Sequence, residues 1–179
     1  LEGREGMLKN VAHIRAIREA AGDEVAIMID VYMGWTLPYA VEMCHLLEPF
    51  GLAWVEEPFL PDDLQSYRKL RQSTSIPVAG GEHEFTRFGF EQILEAEAMD
   101  ILQPDLHRCG GITEGRRIAS LAAARGLSVI PHAFSNVHLH FVASCANAPM
   151  AEFFPVPCWE DPSLKEQPSL ILGQSQPES

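Results

Sequence analysis

Short apolar runs alternate along this chain with stretches in which apolar residues recur three and four positions apart. Each of the first three runs ends at an acid, namely Asp30, Glu56 and Glu82. The stretches between the runs have the spacing of a buried helix face, and a first helix is predicted from Met7 to Ala21, with Gly22 as its stop. Strict alternation of strand and helix predicts a parallel sheet covered by helices, which is an α/β fold.

Six strand–helix units can be recognised. After the three runs that end in acids, further strands are predicted at residues 99–103, 127–131 and 150–154. Helices are predicted at residues 38–47, after a cap at Asp62 or Asp63, after a cap at Thr86, from a cap at Thr113 to Ala124, and at residues 136–145.

A closed (β/α) barrel needs eight units. We therefore expect an N-terminally truncated TIM-type barrel, with residues 1–154 as its partial barrel domain. Pro, Ser, Gln and Glu dominate residues 155–179, so this C-terminal tail is expected to be loop or disordered. Open sheet edges and an exposed apolar interior promote association. We therefore expect this polypeptide alone to be catalytically silent and either marginally folded or oligomeric.

Composition excludes several classes of function. With 179 residues, 46% of them hydrophobic, the chain can bury a core, and it has no apolar run of about 18 residues that would span a membrane. The net charge of -12 argues against a nucleic-acid partner, because no basic patch is available to neutralise phosphates. The four cysteines follow no metal-ligand spacing and are interpreted as reduced thiols of an intracellular, cytoplasmic protein, with disulfide pairing left open.

Three carboxylates carry the first chemical signal. Asp30, Glu56 and Glu82 stand at intervals of one strand–helix unit, which places them at the same end of neighbouring parallel strands. Catalytic residues of barrel enzymes gather at that end. Three oxygen ligands without sulfur or imidazole suit Mg²⁺. The alternative is that each acid caps the following helix, which three acids in register make less favourable.

Two later strand ends carry an acid and a histidine, Asp105 and His132, one unit apart. A carboxylate that accepts from one imidazole nitrogen fixes the tautomer and leaves the other nitrogen for proton transfer. The alternative is a buried histidine satisfied by a neighbour. Glu152 lies within an apolar run and needs a partner or a function, so we assign it to the same site. His138 and His140, two residues apart, do not share a helix face, which argues against a metal pair.

Five sequence strings together resemble the enolase superfamily. They are WVEEP at Trp54–Pro58, GGEHE at Gly80–Glu84, QPDLHRCGGITE at Gln103–Glu114, PHAF at Pro131–Phe134 and AEF at Ala151–Phe153. More narrowly, the chain resembles the mandelate racemase group and its acid-sugar dehydratases, and the GEHE and CGGITE strings are most similar to the L-rhamnonate dehydratase type.

The resemblance implies a site and a reaction. Asp30, Glu56 and Glu82 would hold Mg²⁺, which would bind the carboxylate of a sugar acid and stabilise an enediolate. His132, oriented by Asp105, would take the C2 proton and protonate the leaving C3 hydroxyl, giving a 2-keto-3-deoxy acid. Glu152 would hydrogen-bond the substrate carboxylate. The full-length form is expected to be a homo-oligomer.

Four residues that neighbour the predicted site in the sequence are expected to have supporting roles or none. His83 is expected to lie beside Glu82 or to contact a substrate hydroxyl, with plain packing as an equal alternative. Glu57 is expected to support the metal ligands without being one of them. His107 and Arg108 are expected to be solvated loop residues, although contact with the distal end of a substrate remains open.

Other functions remain open beside the dehydratase. The family's capping domain and its basic residue at the second barrel strand are not in this sequence. A racemase or epimerase of the same group shares the enediolate, and an inactive truncated paralogue is the non-enzymatic alternative. A cycloisomerase or dipeptide epimerase is less favoured, because those relatives carry a Lys where this chain has Leu106-His107-Arg108.

Overall fold

The structure is a computed structural model that describes residues 3–133 and 136–153. The chain forms two compact units. Unit 1 comprises residues 1–80 and 92–101, and unit 2 comprises residues 81–91 and 102–179. The predicted tail and Cys158 lie outside the described residues.

Unit 1 holds the first half of the predicted strand–helix alternation. Its elements are α1 (Gly3–Ala21), β1 (Ile27–Asp30), α2 (Leu37–Leu47), a 3-10 turn (Glu48–Phe50), β2 (Leu52–Glu56), α3 (Leu64–Ser73) and β3 (Val78–Gly80). β1 pairs with β2 and β2 pairs with β3, both in parallel, and Asp30 stands opposite Glu56 in this register. The peptide N–H of Asp100 donates to the carbonyl oxygen of Val78 at 2.8 Å, which ties the next strand segment to β3.

Local signals in the sequence explain these elements. Pro38 occupies the first turn of α2, where its missing N–H costs nothing. Asp63 caps α3 and accepts a hydrogen bond from the Ser66 N–H, as predicted. Side chains from both faces of the strands are buried, including Val55 and Val78 at 0% exposure, as expected for a parallel sheet covered by helices.

Unit 2 continues the alternation. α4 (Thr86–Glu95) and β4 (Ile101–Leu102) each contribute residues to both units, and α5 (Gly111–Ala123), β5 (Ser128–Val129) and α6 (Asn136–Ser144) belong to unit 2. The Ile130 N–H donates to the Leu102 carbonyl at 2.9 Å and so joins β5 to β4. The predicted α/β class is confirmed.

Three local predictions were wrong. α5 begins at Gly111 and not after Thr113, because Gly110 and Gly111, both with positive φ, turn the chain into the helix two residues earlier. Thr86 is the first residue of α4 and not a cap outside it. Residues 150–153 form no strand, and the contact made by this segment is a side-chain one, in which the Glu152 carboxylate accepts the Ala133 N–H.

The cysteines that the structure describes (Cys44, Cys109 and Cys145) are free thiols. Burial raises the pKa of Cys44 to about 12 and that of Cys109 to about 11. Over residues 3–133 and 136–153, no helix has both the length and the apolar character needed to cross a membrane.

Candidate active site

Two of the predicted metal ligands close neighbouring strands of unit 1. Asp30 is the last residue of β1, and Glu56, the last residue of β2, is its partner in the register. The indole N–H of Trp54 donates to Glu56 Oε2 at 3.0 Å, and the Tyr32 N–H donates to Asp30 Oδ1 at 2.9 Å. Both carboxylates therefore lie at one edge of the unit 1 sheet and are held by local donors.

A cavity of 330 Å³ adjoins Asp30 in unit 1, and its walls include His13, Ile29, Val31 and Trp35. Asp30 is exposed, whereas Glu56 is half-buried. The exposed carboxylate beside open space is accessible to a cation.

Glu82, in unit 2, follows the end of β3 by two residues. Gly81 before it has φ +116°, and a Cβ at this position would lie 2.9 Å from Cε1 of Phe90. A glycine is therefore required at position 81 for two reasons, because both the backbone conformation and the close packing disfavour a side chain there. The Glu82 side chain is only 10% exposed.

His132 lies between two carboxylates of unit 2. Its Nδ1 is 3.2 Å from Asp105 Oδ2, as predicted, and its Nε2 is 3.1 Å from Glu82 Oε2. Each of the two ring nitrogens therefore faces one carboxylate. An imidazole held in this way is suited to receive and return a proton.

Asp105 is fixed from several sides. Its side chain is 7% exposed, and Oδ1 accepts the His107 N–H at 2.7 Å. Arg108 approaches Asp105 Oδ2 at 3.6 Å and Glu82 Oε1 at 3.6 Å, so one guanidinium contacts both carboxylates that face His132. The guanidinium partly neutralises this pair of acids.

Glu152 lies beside the backbone of the histidine segment. Its Oε2 accepts the Ala133 N–H, and Ala133 has φ +62°. The carboxylate that the sequence assigned to this site is therefore next to the peptide that follows His132.

The sequence predicted that His83 and Glu57 lie next to the metal ligands without being ligands themselves. Nδ1 of His83 is 3.5 Å from Glu82 Oε1, so His83 does lie beside Glu82. Glu57, in unit 1, is 2% exposed and has φ +42°. Burial, followed by the negative charge of Glu57, raises the pKa of Tyr67.

A family model described as enolase C-terminal domain-like matches residues 2–177. The chain belongs to this family. This match confirms the predicted fold and the resemblance seen in the five sequence strings.

Three known proteins are similar to this enolase C-terminal domain over most of its length. It is 40% identical over 154 residues to an L-rhamnonate dehydratase of Saccharopolyspora erythraea, covering 85% of this chain and 40% of that protein. The crystal structure of L-talarate dehydratase from Polaromonas sp. JS666 with Mg and L-glucarate is 35% identical, with a TM-score of 0.79 and coverage of 83% and 42%. A racemase from Streptomyces coelicolor A3(2) with bound magnesium is 32% identical, with a TM-score of 0.80 and coverage of 84% and 43%.

The chain spans two fifths of the length of the L-rhamnonate dehydratase that it matches. Its donor set nevertheless fits Mg²⁺ chemically, because Asp30, Glu56 and Glu82 offer only carboxylate oxygens. A different group in unit 2, Asp105, His107 and His138, brings its donor atoms within 4.8 Å of one another. Nε2 of His138 already accepts the Leu106 N–H, which makes this second group a poorer ligand set.

Sequence reasoning missed two residues of the site. Arg108 was expected to be solvated, and its side chain is indeed 41% exposed, but it contacts both acids around His132. Its position three residues after Asp105 was the available signal. His138 is fully buried near Asp105, and its spacing of three from the buried Phe141 would have placed it on the inner face of α6.

A larger cavity in unit 2, of 840 Å³, lies along α4 and α5 and includes Arg87, Arg116 and Arg117. None of the predicted site residues lines it. Glu114 binds Arg87 and Arg117 through contacts of 2.8 Å. The backbone N–H of Arg87, then the Arg117 side chain, hold the pKa of Glu114 at about 2, so this cluster is a structural ion pair that links two helices.

Proposed function

We propose that this chain carries the metal-binding and proton-transfer residues of a Mg²⁺-dependent sugar-acid dehydratase, with an L-rhamnonate-like substrate favoured. The observation that carries the proposal is the His132 ring held between Asp105 and Glu82, at 3.2 and 3.1 Å. The names of the dehydratase relatives support the choice of reaction.

Asp30, Glu56 and Glu82 are the residues that would hold the metal. Bound Mg²⁺ supplies Lewis-acid polarisation of the substrate carboxylate, which acidifies the neighbouring C–H bond. The chain's own contribution is to orient these acids. Trp54 fixes one oxygen of Glu56, and Arg108 and His132 face Glu82.

Proton transfer is assigned to His132. Its Nε2 takes the C2 proton, and the electron pair left at C2 forms the enediolate. The enediolate expels the C3 hydroxyl, which leaves as water with the proton returned from His132, and the resulting enol becomes the 2-keto-3-deoxy acid. Asp105 holds the ring through Nδ1 in both steps.

The substrate carboxylate is assigned to Glu152 as a hydrogen-bond partner, and one of its oxygens is already engaged by Ala133. His83, half-buried beside Glu82, would contact a substrate hydroxyl. These two assignments rest on the position of each side chain next to the histidine and the acid of the site.

A racemase is the second candidate, because the racemase from Streptomyces coelicolor A3(2) is similar over 84% of this chain. Racemisation shares the first proton abstraction and lacks the departure of the hydroxyl. The two reactions differ in whether a keto acid forms.

The test is an assay of the complete gene product against a library of sugar acids with Mg²⁺. We expect L-rhamnonate or a close stereoisomer to yield a 2-keto-3-deoxy acid, detected as its semicarbazone. His132→Asn should lower turnover roughly 10²–10⁴-fold, the usual contribution of a positioned acid or base. His140→Asn, at an exposed histidine of α6, is the matched control and should retain activity.

Solvent deuterium decides between the two candidates. Exchange at C2 without keto-acid formation would support the racemase and overturn the dehydratase. Full activity of His132→Asn would show that another residue transfers the proton.

A further inference from the structure

The α6 helix buries a histidine where an apolar residue would be expected. His138 is 0% exposed, whereas its neighbours Val137 and Leu139 are 38% and 46% exposed. Burial of an imidazole is unfavourable unless its nitrogens have partners, and burial of Val or Leu is favourable by itself. The helix therefore presents its polar residue to the interior of unit 2 at a cost, which points to a specific contact.

That contact is the peptide next to Asp105. The Leu106 N–H donates to Nε2 of His138 at 3.3 Å. An imidazole nitrogen that accepts a hydrogen bond carries no proton, so the ring is neutral with its proton on Nδ1. Burial lowers the pKa of His138, and this favours the same neutral form, against the opposing effect of Asp105.

Three other peptide N–H groups of this turn bond to Asp105 itself. The His107 N–H donates to Asp105 Oδ1 at 2.7 Å, and the N–H groups of Arg108 and Cys109 donate to the Asp105 carbonyl at 3.0 and 2.7 Å. The Leu106 N–H instead donates to His138, which lies on a different element. His138 thereby anchors the turn to α6.

We propose that His138 is a positioning residue for the proton-transfer pair: by accepting the Leu106 N–H it fixes the turn that aims Asp105 at His132. The carboxylate that orients His132 is then held in place from α6 as well as by its own turn. Nε2 of His138 lies 3.8 Å from Asp105 Oδ1, close enough to limit movement of that carboxylate without bonding to it. This inference rests on the proposed dehydratase function.

The variants separate the hydrogen bond from the packing. His138→Phe fills the buried space without an acceptor, whereas His138→Gln places an amide oxygen near the position of Nε2. His140→Gln, on the exposed side of the same helix, is the control. We expect His138→Phe to lower kcat roughly 10–100-fold with KM nearly unchanged, the range typical of a partner that orients a functional group. His138→Gln should recover most of the loss, and His140→Gln should match the wild type.

A second measurement does not depend on activity. In the ¹⁵N spectrum of the wild-type chain, Nε2 of His138 should have the shift of an unprotonated acceptor near neutral pH. Exchange of the Leu106 amide with solvent should accelerate in His138→Phe and return toward the wild-type rate in His138→Gln.

The outcomes are distinguishable. If the wild type dehydrates a sugar acid and His138→Phe is equally active, or if Nε2 carries a proton, the role of His138 is overturned and the proposed function stands. If the wild type forms no keto acid from any sugar acid, the proposed function is overturned, and with it the part that His138 would play in that reaction. Equal loss in His138→Phe and His138→Gln would assign the effect to packing and reject the hydrogen-bond role.

Discussion

At the scale of the residue, Gly81 shows how backbone geometry prepares the position of Glu82. Its φ of +116° is unfavourable for any residue with a side chain, and a Cβ would meet the Phe90 ring at 2.9 Å. A rotation of the chain here would move the adjacent carboxylate, which faces His132. Gly81 is therefore a residue on which both stability and the site depend.

We expect Gly81→Ala to destabilise the protein more than a glycine change that meets no neighbour. Gly126 is the matched control, because it has φ +73° and nothing within 4 Å of its hypothetical Cβ. Gly126→Ala should cost about 1–2 kcal/mol of backbone strain, and Gly81→Ala should add roughly 1–3 kcal/mol for overpacking. Urea denaturation of both variants measures the difference, and equal midpoints would show that the Phe90 contact relaxes without cost.

The sequence predicted the contact between Asp105 and His132 because each follows a predicted strand, one unit apart. It did not predict Arg108 or His138. Arg108 is in a loop, where side-chain direction depends on the turn, and His138 is in a helix that exposes apolar neighbours on either side of it. The spacing of His138 from Phe141 indicates the inner face of α6, but hydrophobic periodicity does not identify the distant peptide group that the imidazole contacts.

At the scale of the element, α4 and α5 are joined by the Glu114 carboxylate. It accepts from the backbone N–H and the guanidinium of Arg87 and from Arg117, and these contacts keep it ionised. A carboxyl whose pKa is lowered on folding stabilises the folded state above its usual pKa and loses that contribution as the pH falls toward the lowered value.

The expected result for Glu114→Gln is thus a stability loss that depends on pH. The wild type should be clearly more stable than the variant near pH 7. The difference between their free energies of unfolding should narrow as the pH falls from about 4.5 to about 2. Guanidinium denaturation at several pH values checks this. Glu91→Gln, a change of the same kind on α4, should show little of this dependence on pH. A stability difference for Glu114→Gln that stays constant with pH would mean that the charge of Glu114 does not cause the stabilisation.

Element prediction from sequence succeeded where a local signal dominates. Asp63 caps α3 as expected, since the hydrogen bond to Ser66 is made within the first turn. The start of α5 was misplaced because a Gly-Gly turn outweighed a threonine cap. The sixth strand is absent over residues 150–153, where an apolar run alone did not produce backbone pairing, and Glu152 instead bonds through its side chain to a peptide 19 residues away.

At the scale of the whole molecule, the net charge of the chain affects how much metal binding stabilises it. A chain with a net charge of -12 repels itself, and a divalent cation bound to its carboxylates would relieve part of this repulsion. A ligand that binds only the folded state raises the free energy of unfolding, by about 2.7 kcal/mol at a concentration 100-fold above its Kd.

We therefore expect Mg²⁺ to raise the Tm of the protein beyond the effect of NaCl at equal ionic strength. Asp30→Asn should remove most of this increment. Asp23→Asn, which removes the same charge from an exposed position, should preserve it. Thermal unfolding followed by circular dichroism measures all three, and an undiminished increment in Asp30→Asn would contradict the assignment of Asp30 as a ligand.

Of the cysteines that the structure describes, Cys44 and Cys109 are deeply buried, and each can report on the opening of its own unit. Maleimides and other alkylating reagents attack the thiolate, and burial keeps Cys44 in unit 1 and Cys109 in unit 2 protonated and out of reach at neutral pH. Each thiol becomes reactive only when the packing around it opens. Mass spectrometry of labelled peptides over time would therefore record the opening rate of unit 1 at Cys44 and of unit 2 at Cys109 in a single experiment, at thiols that the native sequence already contains.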